Sequence, residues 1–555
     1  MRILLLVSAF NGLTQRVWCH LRDHGHEVGV ELAPAYATPE ELTSAVERAR
    51  PDLILCPFLK HRVPQDVWDR WDTVVVHPGP VGDRGPSSLD HAILHGREQW
   101  GVTALSAVEE MDAGPVWATS TFDLPAEPIA KSALYNGLVA DAAMTCVDEV
   151  LRKVEAGERP VPLEECPRPV PDTDELPLLR RTDFALDWNE AAEVLARRIA
   201  AADGAPGAPA TIEGRSYCLY DAVAVAEDSG ALPGTVVWHD LEAVAVATGR
   251  GTLWIGYAAT LENNRRGHKL PAARVIDAGG STFRSLPESH AESSYERDGD
   301  IGYLTIRSYN GAMYAEQCRR LATDVEKALI EDTRVLVVRG TEHAFSNGIH
   351  LGMIEASADP AAEAWENIRA IDELCLTLAS ADQLTIAAYT ASAGAGGVMA
   401  ALCADVTLAR EGVVLNPYYD MGIFGSELHT WSLAARAGEE KADELLRSKL
   451  PISATEAARL GLVAGVGPRD PGDFDTWLRA AARHYTEPAN LERVLRERAE
   501  RRAAARPLSY YQTIELAEMA RDIFEDRNGF AAKRRDFVTK AAATETPARL
   551  RFADV

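Results

Sequence analysis

HPGPVGDRGPSSLDHAI, running from His77 to Ile93, decides how the first part of this chain is read. It follows the apolar run Thr73–Val76, so His77 stands at the exit of a predicted strand. The glycines and prolines behind it make a loop, and they let backbone amides come close to a ligand. A second string, EEMDAGPV at 109–116, places Asp112 in a turn after the strand pattern VTALSAVEE. An imidazole supported by a carboxylate suits general acid–base work. Both stand at strand exits, where open α/β sheets bind their ligands.

Working outward, strand and helix signals alternate over residues 1–170. ILLLVS is a buried strand, LTQRVWCHLRDHG an amphipathic helix closed by Gly25, and HEVGVELA the next strand. PEELTSAVERARP is helical, and DLILCPF and TVVVHPG complete the run. The pattern predicts an α/β domain built on a doubly wound parallel sheet. Six prolines between Arg159 and Pro177 mark a linker without regular structure. Beyond it, DWNEAAEVLARRIAA is a helix, and short strands with glycine turns fill Ala210–Ala273. They predict a small β-barrel-like middle domain over 178–278. A polar stretch at 278–300 separates it from a third domain, 295–555, where α/β alternation resumes and helices dominate after Ser453.

At 555 residues the chain is too long for one core, since domains average roughly 150 residues. Its net charge of −26 argues against broad binding to nucleic acid or anionic membranes. The eight cysteines are scattered and form no C-x-x-C pair, so neither a metal site nor a disulfide framework is expected. MRILLLVSAFNG is too short an apolar run for a signal peptide or membrane span. A cytoplasmic protein with buried free thiols is expected.

The third domain repeats one device twice. RVLVVRG leads into TEHAFSNGIHLGMIE, and LTIAAYT into ASAGAGGVMAALCADV; each is strand, small-residue turn, helix. Two such turns facing one carbonyl make an oxyanion hole, with the amides of Ile349 and Gly396 as candidates. In LNPYYDMGIFGSE, Tyr418 and Tyr419 should point to opposite faces of an extended segment. Glu427, among apolar neighbours, would have a raised pKa if buried. Arg307 after a strand, and Lys533, Arg534, Arg535 and Lys540, are candidates for ligand phosphates or a solvated helix face. Asn11, Thr14, Gln15 and Arg16 follow the first strand without a G-x-G-x-x-G pattern, so ligand contact and helix capping both remain open.

The strings HPGPVGDRGPSSLDHAI, GVTAL and EEMDAGPV together resemble the folate-dependent formyltransferases, over residues 1 to about 275. The resemblance makes His77 and Asp112 two of that family's three catalytic residues. The third, an asparagine two positions before the histidine, is Val75 here. CPFLKHRVP, with Phe58 and Leu59, falls where the family shapes its folate pocket, and Asn11, Gln15 and Arg84 join it as expected cofactor-binding residues. Residues 295–555 resemble the crotonase superfamily, an α/β spiral with terminal helices, in AFSNGIHL and AGAGGVMAALCADV. Met399 and Tyr418 stand where hydratases keep their acids, so hydration of an enoyl thioester is not expected.

The combination, with AFNGLTQRVW, SYNGAMYAEQCRRL, WENIRAIDEL and LNPYYDMGIFGSE, resembles the HypX family of NiFe-hydrogenase maturation factors. That resemblance implies formyl transfer from formyl-tetrahydrofolate to coenzyme A, then release of carbon monoxide for the hydrogenase iron. Tyr419 and Glu427 match that family's tyrosine and carboxylate, and Arg307 and Lys540 are expected at the CoA phosphates. His77 is expected to accept the thiol proton, and an internal tunnel to join the two sites. Implied partners are these small molecules and other hydrogenase maturation proteins, with no nucleic acid or membrane. The alternative is a biosynthetic N-formyltransferase acting on an amine, fused to an acyl-CoA-processing crotonase domain.

Overall fold

The computed structural model describes residues 1–553 except Asp172 and Asp174. The chain divides into two compact units, Met1–Leu286 with Ala542–Val555, and Pro287–Ala541.

In the first unit, six strands lie in the order β2-β1-β3-β4-β5-β6: β1 Arg2–Val7, β2 Glu27–Leu32, β3 Leu53–Cys56, β4 Thr73–His77, β5 Gln99–Ser106 and β6 Val116–Asp123. The first four are parallel, and β5 and β6 run antiparallel to their neighbours. The doubly wound sheet is thus parallel over its first four strands and mixed at its β5–β6 edge. Leu53–Cys56 is buried at every residue because helices cover both faces of the central strands. The supposed linker is corrected. Its prolines prevent long elements, but Val161 pairs with Val116, and Thr173 Oγ1 donates to the Val81 carbonyl at 3.2 Å. Leu163 and Val170 are buried.

A second sheet of the same unit is built on two long strands, Arg215–Val225 and Thr252–Glu262, paired antiparallel. Its end strands, Thr282–Phe283 and Ala208–Ile212, do not pair, so the barrel-like domain is an open eight-stranded sheet.

The last residues return to the first unit, where the sequence reading ran the third domain to 555. Leu32 N–H donates to Thr546 Oγ1 at 2.9 Å, and Arg2 stacks on the Phe552 ring at 3.9 Å. A Cβ on Gly29 would lie 2.5 Å from that ring, so the glycine makes room for it. Phe552→Ala is expected to destabilise the first unit by about 1–3 kcal/mol, less than a fully buried phenylalanine would cost. Urea unfolding checks this; an unchanged midpoint would contradict it.

The second unit carries a six-stranded sheet in the order Ser293–Asp298, Ile301–Ile306, Val335–Arg339, Leu384–Tyr389, Val406–Arg410, Gly465–Gly467, parallel after the first pair. Its alternation divides two cores. Leu336 and Val338 pack with the helices Ala315–Leu329 and Pro360–Ala379, while Val335 and Val337 pack with Phe474, Leu478, Leu491 and Val494 of the C-terminal helices. A three-stranded sheet, Ala393–Gly394, Val414–Asn416 and Ile452–Ser453, carries the second glycine turn. All eight cysteines are free thiols, and all but Cys166 are buried. No helix among the described residues is long and apolar enough to cross a membrane.

Candidate active sites

His77 ends β4, and its ring lies between two carboxylates. Nε2 meets Asp83 Oδ2 at 2.8 Å, and Nδ1 lies 3.5 Å from Asp112 Oδ1. The loop permits this because residue 79 has no side chain: a Cβ there would stand 2.1 Å from Asp83 Oδ2 and 2.5 Å from His77 Nε2. Thr103 Oγ1 donates to the Gly79 carbonyl at 2.9 Å, and Ser88 Oγ and Trp100 Nε1 donate to that of Pro78. Asp112 holds a left-handed backbone, φ 57°, and its Oδ2 accepts weakly from the Gly85 amide at 3.4 Å.

Burial alone would lower the pKa of His77, but the Asp83 hydrogen bond and the charges of Asp112 and Asp83 outweigh it and raise it. The ring therefore holds a proton to higher pH than a free imidazole does. Asp83 lies inside the quoted motif, yet nothing in its spacing marked it as the imidazole's nearer partner. Its Oδ1 is buried with no hydrogen-bond partner among the described residues. Val75, also on β4, packs its side chain against an apolar cluster and has no donor to offer there.

Asn11 caps the helix Gly12–Asp23 through the Thr14 amide at 3.0 Å, and its Nδ2 reaches Tyr135 Oη at 3.4 Å. Gln15 Nε2 donates to the Phe10 carbonyl at 3.0 Å. Phe58 packs edge-on against Tyr135 with Lys60 above its ring, and Leu59 packs at the edge of the neighbouring apolar cluster. The structure thus links Asn11 and Phe58 through Tyr135, which the sequence reading did not single out. Arg84 pairs with exposed Glu110.

In the second unit the two glycine turns meet. A Cβ on Gly348 would lie 3.1 Å from the Gly396 amide nitrogen, so Ile349 and Gly396 belong to one site. Gly396 opens the helix Gly396–Leu402, where a first-turn amide has no intrahelical acceptor. Glu427 closes the site: a Cβ on Gly396 would stand 2.3 Å from its Oε1. Its Oε2 accepts from Tyr418 Oη at 3.0 Å and from the Ser426 amide at 3.1 Å. Tyr418, and not the family-matched Tyr419, is therefore the bonded partner of Glu427. Tyr419 is one-third exposed, with its hydroxyl beside Gly394.

Glu427 and Leu428 both have positive φ, 64° and 56°, a conformation non-glycine residues keep only when their surroundings impose it. The imposing element is the helix Leu508–Phe524. Its Asp522 accepts from the Phe424 amide at 2.7 Å, and its Glu515 accepts from Thr430 N at 2.8 Å and from Thr430 Oγ1 at 2.5 Å.

Glu427 is 3% exposed, and Asp372 and Glu515 are fully buried. Burial first, and Asp372's charge second, push Glu427 up to about 7. Burial also raises Asp372 to about 6 and Glu515 to about 8. His429, 3.5 Å from Glu515, is pushed down to about 4 by burial and brings no charge at neutral pH. Both Asp372 oxygens lack a full hydrogen bond among the described residues, although Gln512 and the Glu427 amide partly steady the charge. Asp372 had a legible signal: with Asn367, Ile368, Ile371 and Cys375 it shares the buried stripe of its helix.

These raised values mean that the folded unit keeps protons the unfolded chain has already lost. Its stability should fall as pH rises from about 4.5 through 8. Glu515→Gln, which can still accept from Thr430, is expected to stabilise the protein by about 2 kcal/mol at pH 8 and little at pH 5. Chemical denaturation at both values checks this; an equal effect at both would contradict it.

Arg307 is exposed after its strand, and Lys540 is exposed at the end of the helix Phe530–Thr539. Lys533 pairs with Asp420, and Arg534 and Arg535 pair with Glu355, so these three hold elements together.

Comparison with known proteins agrees with this division. The formyl transferase C-terminal domain family matches residues 178–266, and the enoyl-CoA hydratase/isomerase family matches 303–537. The chain is 37% identical to the hydrogenase maturation factor HoxX of Bradyrhizobium diazoefficiens, over 99% of this chain and 96% of that protein. It superimposes on HypX from Aquifex aeolicus in complex with tetrahydrofolic acid with a TM-score of 0.92 at 35% identity, covering 99% of this chain and 98% of that one. A methionyl-tRNA formyltransferase of Burkholderia vietnamiensis is 30% identical over 48% of this chain and 82% of its own length.

Proposed function

Because this chain belongs to the family of hydrogenase maturation factors HoxX and HypX, we propose that it moves a formyl group from formyl-tetrahydrofolate to coenzyme A and then releases carbon monoxide from formyl-CoA. The observation that carries this reading is Glu427, buried against Gly396 and bonded to Tyr418.

At the first site the CoA thiol sulfur attacks the formyl carbon, and the carbonyl becomes an oxyanion. His77 takes the thiol proton, and the imidazolium so formed, held between Asp83 and Asp112, steadies the oxyanion that the Val75 side chain cannot. The carbon–nitrogen bond then breaks, and His77 returns the proton to the folate nitrogen. Asn11, Gln15, Phe58, Leu59 and Arg84 line the folate side, and Arg307 and Lys540 face the CoA phosphates.

At the second site the thioester carbonyl lies against the Ile349 and Gly396 amides. Glu427 removes the formyl hydrogen as a proton, the carbon–sulfur pair leaves with sulfur, and carbon monoxide departs. The thiolate regains the proton, so the step is redox-neutral. A carboxylate near 7 is matched to this task, being strong enough to accept the proton and able to return it. The carbon monoxide then becomes a ligand of the hydrogenase iron, received by other maturation proteins.

Supplying formyl-CoA directly and trapping carbon monoxide with haemoglobin tests the second step. The rate should climb as pH rises through about 7, where Glu427 loses its proton. A rate that falls over that interval would remove Glu427 as the base. No carbon monoxide at any pH would favour an amine-directed N-formyltransferase.

A further inference from the structure

A small cavity lies in the second unit, outside the machinery above. It has a volume of about 20 Å³ and is walled by Leu402, Cys403, Asp405, Trp431, Ser432, Arg436 and three arginines of one helix. Those three, Arg498, Arg501 and Arg502, share a face of the helix Pro488–Ala504 because they are three and four residues apart. Arg436 joins them from the helix His429–Ala437, one turn after Ser432.

Four guanidinium groups here meet one lining carboxylate, that of Asp405, which lies 3.1 Å from Arg498 and 3.9 Å from Arg501. Most other partners are neutral. Arg436 donates to the Leu402 and Ala404 carbonyls and to Thr407 Oγ1, Arg498 to those of Ala381, Asp382 and Gln383, and Arg502 to that of Ala379. Carbonyls satisfy N–H groups but leave the positive charge uncompensated. Burial, and then the neighbouring Arg501, push Arg436 down to about 10, the response of a cation short of counter-charge.

Two further donors are idle. Ser432 Oγ, on a side chain 2% exposed, and the buried Trp431 Nε1 have no hydrogen-bond partner among the described residues. Both residues line the cavity, and buried polar groups are nearly always satisfied. We propose that this cavity binds a small oxyanion of carboxylate size, held by Arg501 and Arg436 and by the Ser432 and Trp431 donors. The volume admits one or two water-sized bodies, which suits a three-atom carboxylate better than a large ligand. Planar guanidinium forks match that geometry. The site abuts the second active site, since Cys403 in its wall contacts the Glu427 carbonyl.

Isothermal titration of the full-length protein with sodium formate tests this, with neutral formamide as control and sodium phosphate as a larger anion. Formate should bind saturably and formamide should not. Arg501→Gln and Ser432→Ala should each weaken formate by about tenfold, as expected for losing a hydrogen bond to a charged group. Trp431→Phe serves if Ser432→Ala fails to fold. Phosphate binding with the same sensitivity to these variants would support the site and enlarge its ligand. Equal binding of formamide, no saturable binding, or binding indifferent to the variants would overturn the proposal, leaving water as the occupant.

Discussion

Glu427→Gln is expected to lower carbon monoxide release from formyl-CoA by about 10²- to 10⁴-fold, the usual contribution of a positioned proton acceptor. The substitution is nearly isosteric, and an amide oxygen can still accept from the Ser426 amide and Tyr418. The backbone at φ 64° is held by neighbours that do not change, so the loss would be chemical rather than structural. Formyl transfer at the first site should stay at the parent rate, which separates damage to one step from damage to the whole protein. Tyr418→Phe removes one hydrogen bond to the carboxylate and should cost about tenfold. Tyr419→Phe tells whether the hydroxyl beside Gly394 also takes part. If Glu427→Gln released carbon monoxide normally, the second site would need another base.

The other large effect belongs to His77. His77→Ala should lower formyl-CoA formation by about 10²- to 10⁴-fold while formyl-CoA added from outside is still broken down. Asp83→Asn is the finer probe, because it removes the carboxylate 2.8 Å from Nε2 and keeps the shape of the loop. The ring's raised pKa depends on that contact, so its loss should move the acid limb of the transfer step to lower pH. A raised folded-state pKa also gives stability that is present at low pH and lost as pH rises through it. An Asp83→Asn profile superimposable on the parent would show that the ring's titration does not govern the transfer step.

What was legible in the sequence followed from local rules. His77 at a strand exit and Asp112 in its turn could be read because strand runs and Gly/Pro loops are short-range patterns. The two turns that bring Ile349 and Gly396 together were readable for the same reason. Long-range pairing was not legible. Asp83 becomes the nearer partner of His77 only because Gly79 lets the loop fold back on the ring. Tyr418 takes Glu427 because the helix Leu508–Phe524, about 90 residues on, fixes the loop between them. Nothing in LNPYYDMGIFGSE announces that helix. The return of Phe552 to Gly29 and the antiparallel setting of β5 and β6 were hidden for the same reason.

The central claim is that one carbon atom passes from folate through a CoA thioester to carbon monoxide on this chain. Its most direct measurement supplies ¹³C-formyl-tetrahydrofolate and CoA to the purified protein and follows the label by infrared and mass detection. Expected is ¹³CO formed only when CoA is present, with labelled formyl-CoA accumulating in Glu427→Gln and absent in His77→Ala. Labelled formate or a formylated amine, with no ¹³CO, would contradict it.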